Sequence, residues 1–205
     1  MNTPTQMSPH QAEACAQLSP LGAKLFKYIE FDDDEELIVE IHKHPIGAIA
    51  LGAAGVIIAL IIAIATTLLA RNLDNLNIVS SGNSSGFKAL LSAGGLILAL
   101  LALAITAIIV AIYNNNVIYV TNQKIAEVAY MSIFNRKVTQ LGMGSVEDVT
   151  FRQQGIFARL FGYGTIIVET AGAVENCYFT LLPNPNFYAQ KIIQAHEAYI
   201  DAHGG

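Results

Sequence analysis

Apolar residues concentrate in two unbroken stretches. Ile46–Ala70 and Ala89–Tyr113 are each 25 residues long and contain no charged side chain. A hydrocarbon core about 30 Å thick is crossed by roughly 20 helical residues, so each stretch spans it with room for tilt. A buried helix of a soluble core would show an amphipathic stripe or a break, and neither stretch does. The first stretch begins too far along the chain, and runs too long, for a cleaved signal peptide. Between them, Arg71–Lys88 is polar and rich in Ser, Asn and Gly over residues 80–86. The pattern predicts a membrane hairpin: helices at 46–70 and 89–113, a loop at 71–88, and both termini on one side.

From Asn114 the period changes. Val117–Thr121, Lys124–Tyr130, Lys137–Leu141, Ser145–Gln154, Tyr163–Thr170 and Val174–Leu182 are short runs rich in β-branched and aromatic residues, separated by turn residues. Such spacing predicts an antiparallel sandwich or barrel over residues 114–205. Gly155–Gly162 reads as a helical turn. Asn184 is placed to N-cap a helix over 185–202 that has Pro185 at its first position. Ala189, Ile192, Ile193, His196, Tyr199 and Ile200 form its apolar face, which should close one end of the β-structure.

Ahead of the hairpin, residues 1–36 read as a disordered, acidic tail with a short helix at Gly22–Glu30. Glu30 to Glu36 holds six acids in seven positions, read as a solvated, self-repelling run that lacks the spaced pattern and turn glycine of a calcium loop. Residues 37–45 form a juxtamembrane segment. In it Leu37, Val39 and Ile41 alternate with Ile38, Glu40 and His42, which fits a short strand or an interfacial helix.

Composition narrows the function. Hydrophobic residues make up 53% of the 205 and charged residues 13%, about half the usual charged share, and mean hydropathy is +0.46. A net charge of −5 argues against nucleic acid as a partner, since that needs a basic footprint. Cys15 and Cys177 lie far apart with no metal-ligand spacing, which argues against a disulfide framework or a cysteine zinc site. Inside the helices the polar side chains are Thr66, Thr67, Ser92 and Thr106. With no ionisable residue at membrane depth, an ion or proton pathway is disfavoured. Gly55, Ala59 and Ala63 recur at every fourth position, as do Gly95 and Ala99, so the helices can pack closely on each other.

Candidate chemistry is sparse. His42, Lys43 and His44 stand at the membrane entrance and Tyr113 at the exit, where they read as interfacial anchors. His42-x-His44 has no third ligand nearby, so no metal is expected. Cys177 sits mid-strand without a base, and Gly142–Ser145 is a lone turn rather than a phosphate cradle. No catalytic residue, cofactor or metal site is therefore expected. Residues 114–205 carry six basic residues (Lys124, Arg136, Lys137, Arg152, Arg159 and Lys191) against seven acids. Arg136, Lys137, Arg152 and Arg159 are the candidate interaction or lipid contacts. Lysine and arginine counts near the helix ends favour cytoplasmic termini only weakly.

Three stretches, Tyr119–Lys124, Ser145–Val149 and Arg159–Thr165 ("RLFGYGT"), following a two-helix hairpin, resemble the bacterial pleckstrin-homology-like membrane proteins of the YdbS-like type. The LFGYGTIIVETAG stretch carries most of the likeness. The acidic lead-in and His44 fit as well, over residues 35–200. Lys124 stands where that family often has arginine. The resemblance implies a membrane α-helical hairpin plus a β-rich PH-like domain of about seven antiparallel strands, partly open, capped by a C-terminal helix. It implies no catalytic residues, and it implies tethering at the cytoplasmic face of a prokaryotic plasma membrane. The expected partners are the lipid bilayer, other membrane proteins and a second copy of the chain. Gly162 and Gly164 are expected to serve a turn into a strand, with Tyr163 packed with Phe157 and Phe161 under the loop, and Arg159 near Glu147, Asp148 or a lipid phosphate.

Overall fold

The computed structural model describes residues 18–29, 31–32, 34–72, 84–171 and 176–204. Cys15, most of the N-terminal tail and most of the hairpin loop lie outside these residues, as does the start of the Val174–Leu182 run. In chain order the elements are α1 (Pro20–Phe26), β1 (Leu37–His42), α2 (Pro45–Asn72), α3 (Ser84–Asn114), β2 (Val117–Thr121), β3 (Lys124–Tyr130) and β4 (Arg136–Gly142). A 3₁₀ turn at Met143–Ser145 then leads to β5 (Val146–Arg152), α4 (Ile156–Phe161), β6 (Tyr163–Thr170), β7 (Cys177–Pro183) and α5 (Pro185–His203). The chain forms two compact units: residues up to Pro45 joined with those from Ile112 onward, and Ile46–Ala111.

The second unit consists of two helices long and apolar enough to cross a membrane. Their polar side chains are satisfied within the helix. Thr66 donates to the carbonyl of Ile62 at 2.9 Å, Thr67 to Ala63 at 2.7 Å, Ser92 to Ala89 at 3.0 Å and Thr106 to Ala102 at 2.8 Å. The threonine side chains then fill notches on the opposite helix. A Cβ at Gly55 would collide with Thr106, and one at Gly95 with Thr66. Ala59 and Ala99 are buried alongside. The expected packing of small residues between the two helices is thus present, with a threonine facing each glycine.

The first unit holds seven antiparallel strands in two sheets, β1-β2-β3-β4 and β5-β6-β7, which do not close into a barrel. The seventh strand is β1, which precedes the hairpin. Residues 37–42, whose alternation fits a strand or an interfacial helix, resolve as strand. They pair with β2, His42 opposite Val117 and Ile41 opposite Ile118. Pairing satisfies one edge of β2 and buries Ile41 completely. The β-domain expected at 114–205 therefore begins before the hairpin, which is inserted between two neighbouring strands.

Sheet β1-β2-β3-β4 is covered on both faces. Ile118, Val120 and Ile125 turn toward the β5-β6-β7 sheet and α5, into a core with Met143, Ile166, Val168 and Leu182. Val117, Tyr119, Ala126 and Val128 turn the other way, against Leu25, Phe26, Ile29 and Phe31. Hence every residue of β2 is buried, and its sequence shows no polar alternation. The N-terminal segment, expected as a tail, supplies this second core. Its helix starts earlier than predicted because Ser19 accepts from the amide of Gly22 at 2.9 Å and Pro20 occupies the first turn.

α5 closes the other core as expected, with its buried row shifted. Ala189, Ile192 and Ala195 are buried, with Tyr188 and Tyr199 packed beside them, whereas Ile193 and Ile200 are exposed. Both lie off the Ala189–Ile192–Ala195 row by roughly one helical position. Asn184 occupies the N-cap position in the left-handed conformation (φ 40°), and its side chain makes no capping hydrogen bond. Its amide is instead given to the carbonyl of Gly162 at 2.8 Å.

Candidate functional site

One member of the acidic run, Glu35, is built into the domain, whereas Asp32, Asp34 and Glu36 are exposed. Glu35 is 1% exposed, and its carboxylate meets Lys124 Nζ at 2.8 Å, the Thr121 hydroxyl at 2.5 Å and the amide of Asp32 at 3.1 Å. Thr121 Oγ1 also accepts from the amides of Gln123 and Lys124, which holds the β2–β3 turn. One residue on, the amide of Glu36 donates to Asn122 Oδ1 at 2.9 Å, and the Asn122 amide donates back to the Glu36 carbonyl at 3.0 Å. The fully solvated run expected from the charge pattern is corrected at Glu35. A buried carboxylate needs a charged partner, and the "TNQK" turn provides one. Composition could not reveal this, because the partners lie on either side of the hairpin.

A second polar cluster ties β1 to α1. His42 Nε2 lies 2.6 Å from Glu40 Oε1 and 3.2 Å from Ser19 Oγ. Glu40 also accepts from the Ser19 amide at 2.8 Å and the Ser19 hydroxyl at 2.7 Å. Serine, histidine and carboxylate meet here, yet both partners face the same ring nitrogen. No relay from carboxylate through imidazole to hydroxyl can form, since that requires both nitrogens. The cluster caps a helix.

Beyond His42 the chain leaves for α2. The His44 amide donates to the Leu181 carbonyl at 2.6 Å, its carbonyl accepts from the Tyr113 hydroxyl at 2.8 Å, and its ring lies 5.8 Å from that of Tyr163. His44 and Tyr113 thus clasp the base of the hairpin together. The rings of His42 and His44 go to different places, one to Glu40 and Ser19, the other to Tyr163. Lys43 lies close enough to Glu127 to oppose the effect of burial on it, as does Lys137; burial dominates and raises the Glu127 carboxyl above the ordinary range.

The glycines flanking Tyr163 have separate jobs. Gly162 caps α4 in the left-handed conformation (φ 70°). Gly164 is needed for close approach, since a Cβ there would lie 2.7 Å from the Arg152 carbonyl and 2.8 Å from Pro185 Cγ. Tyr163 does not pack with Phe157 and Phe161, which stack on each other at 6.5 Å; the turn made by Gly162 aims its ring at His44 instead. Nor does an ion pair join Arg159 to Glu147 or Asp148 among the described residues. Asp148 caps the amide of Val149 at 2.7 Å, and Arg159 is exposed.

The other basic candidates lie at strand ends. Arg136 opens β4, and its guanidinium sits 3.5 Å from the centre of the Tyr28 ring. Lys137 follows it, opposite Ala129, and Arg152 ends β5 opposite Thr165. Arg152 borders an open cleft of about 190 Å³ with Gln154, Ala158, Tyr163, Gly164 and Leu181, smaller than the pockets that enclose ligands. Burial pushes the Cys177 thiol up, with Glu127 adding to the rise and Lys137 opposing it, the reverse of nucleophile activation. Among the described residues no three histidine, cysteine or acidic side chains gather as metal ligands.

A family model described as a bacterial PH domain matches residues 36–196, a span that runs from just before β1 into α5 and includes both long helices. Comparisons with curated proteins and with solved structures give no match.

Proposed function

The chain belongs to the bacterial PH domain family, and from that premise we propose that it is a non-catalytic interaction module anchored in a prokaryotic plasma membrane by two spans. Both termini are then cytoplasmic, in line with the weak lysine and arginine bias, and we propose the YdbS-like type on the residues that resemble it. The observation that carries this reading is the insertion of the hairpin between β1 and β2. Two residues separate β1 from α2, and two separate α3 from β2. Such connectors reach about 10 Å at most, so the hairpin is tied directly into sheet β1-β2-β3-β4, which suits a module that works among other membrane components.

Two edges support protein rather than headgroup recognition. Among the described residues, β4 pairs only with β3 and β5 only with β6, which leaves backbone groups able to take a partner strand. Headgroup reading by a basic cluster is less well supported, because Arg136 is stacked on Tyr28.

Photocrosslinkers at Gln140 and Thr150 in the full chain, activated in intact membranes, are expected to yield protein adducts, to another membrane protein or to a second copy. Absence of any protein adduct at both positions would overturn the proposal. A reporter fused after His203 should be active in the cytoplasm. One that works only outside the cell would overturn the topology.

A further inference from the structure

Two apolar tips of the β-domain adjoin the points where the chain departs for the hairpin and returns from it. The first is the β3–β4 turn, where Met131, Ile133 and Phe134 project, Phe134 being 96% exposed. Tyr130, the last residue of β3, lies two residues beyond the position opposite Val117, and its amide donates to Asn116 Oδ1 at 2.7 Å. The turn is therefore beside the end of α3. The second is α4, held to the domain through Ala158 while Ile156, Phe157 and Leu160 stand out, Ile156 at 83% exposure. Through Gly162 it runs directly into Tyr163, whose ring meets that of His44, the residue before α2.

Charge separates these tips from the rest of the domain. Residues 128–146 and 149–168 contain no Asp or Glu, although 114–205 carries seven, and they hold Arg136, Lys137, Arg152 and Arg159. Apolar tips with basic flanks suit the headgroup–acyl boundary of an anionic bilayer, where aromatic and aliphatic side chains enter and Lys137, Arg152 and Arg159 meet phosphate while Arg136 stays on Tyr28. A second copy presenting the same surface would bring like charges together. We infer that the β3–β4 turn and α4 are a second membrane contact, inserted into the interface of the bilayer that the hairpin crosses. This rests on the reading of α2 and α3 as membrane spans.

The chain contains no tryptophan, so single substitutions report cleanly. Phe134→Trp, Phe157→Trp, Leu100→Trp in α3 and Tyr178→Trp at the exposed start of β7 would each be made in the full chain. Each variant would be reconstituted into phosphatidylcholine–phosphatidylglycerol vesicles with and without brominated acyl chains. The inference expects a blue shift and a loss of emission to brominated lipid for Phe134→Trp and Phe157→Trp, and no loss for Tyr178→Trp. If Leu100→Trp is quenched while Phe134→Trp and Phe157→Trp are not, the spans stand and the second contact is refuted. A blue shift without quenching at these two positions means that protein covers them, and refutes it too. If Leu100→Trp itself escapes quenching, the membrane reading fails and takes this inference with it.

Discussion

The buried pair Glu35–Lys124 allows a direct test of what holds the pre-hairpin segment to the domain. Removing one member of a buried ion pair commonly costs about 3–5 kcal/mol, because the remaining charge is stranded. In Lys124→Ala, Glu35 would keep the Thr121 hydroxyl and the Asp32 amide, and the lysine side chain is 13% accessible. Both features place the loss near the lower end, at about 3 kcal/mol. Replacing both partners, as Glu35→Leu with Lys124→Met, removes the stranded charge and should recover most of that loss. Urea unfolding of the detergent-solubilised full chain, followed by the near-ultraviolet signal of its tyrosines, gives the comparison, with an unchanged dependence on denaturant as the check. The reasoning fails if Lys124→Ala stays within about 0.5 kcal/mol of the parent, or if the double replacement is as unstable as the two single losses added.

Gly164→Ala should lower stability by about 1–3 kcal/mol through overpacking against the Arg152 carbonyl, and Gly162→Ala by about 1–2 kcal/mol through its left-handed backbone; the same unfolding assay reads both, and no change in either would contradict the geometry. Glu127 has a folded pKa raised by burial, so its contribution is most favourable below the unfolded carboxylate pKa and is lost as pH rises through the folded one. Glu127→Gln is therefore expected to raise Tm at neutral pH, with the gain shrinking in acid; a pH-independent effect would be inconsistent. In the hairpin, Gly55→Val should cost about 1–3 kcal/mol against Thr106 and lower the melting temperature in detergent. Adding Thr106→Ala should restore much of it, and failure of that rescue would argue against the glycine–threonine notch.

Much of the architecture was legible because it depends on local pattern. The charge-free stretches, the six strands after Asn114 and the Pro185 helix start each express a periodicity or a cap within a few residues. The parts that were not legible depend on partners distant in sequence. Nothing near Leu37–His42 says that its pairing strand lies across the hairpin, so strand and helix fitted equally. Leu25, Phe26, Ile29 and Phe31 look like stray apolar residues in a tail until the second face of β2 is known to need cover. Glu35 is one acid among six, and only Lys124 distinguishes it. Among candidate residues, Gly162 and Gly164 were readable from backbone requirements alone. The neighbour of Tyr163, the His44 ring, is not readable locally, because it lies across the hairpin in sequence. Arg136, Lys137 and Arg152 are scattered in the sequence and share strand ends only once the registers of β4 and β5 are set.

Inserting the hairpin between β1 and β2 also gives synthesis an order. β1 leaves the ribosome first and waits with one edge of its sheet unmade until both long helices and then β2 have been produced. Folding the helices back on each other brings the waiting strand and its partner together, which shortens an otherwise long loop closure. Until then β1 lacks its partner strand and the edge it will cover on β2 does not exist, so its backbone groups and Ile41 stay bare. Completion of sheet β1-β2-β3-β4 thereby waits on synthesis of the whole hairpin.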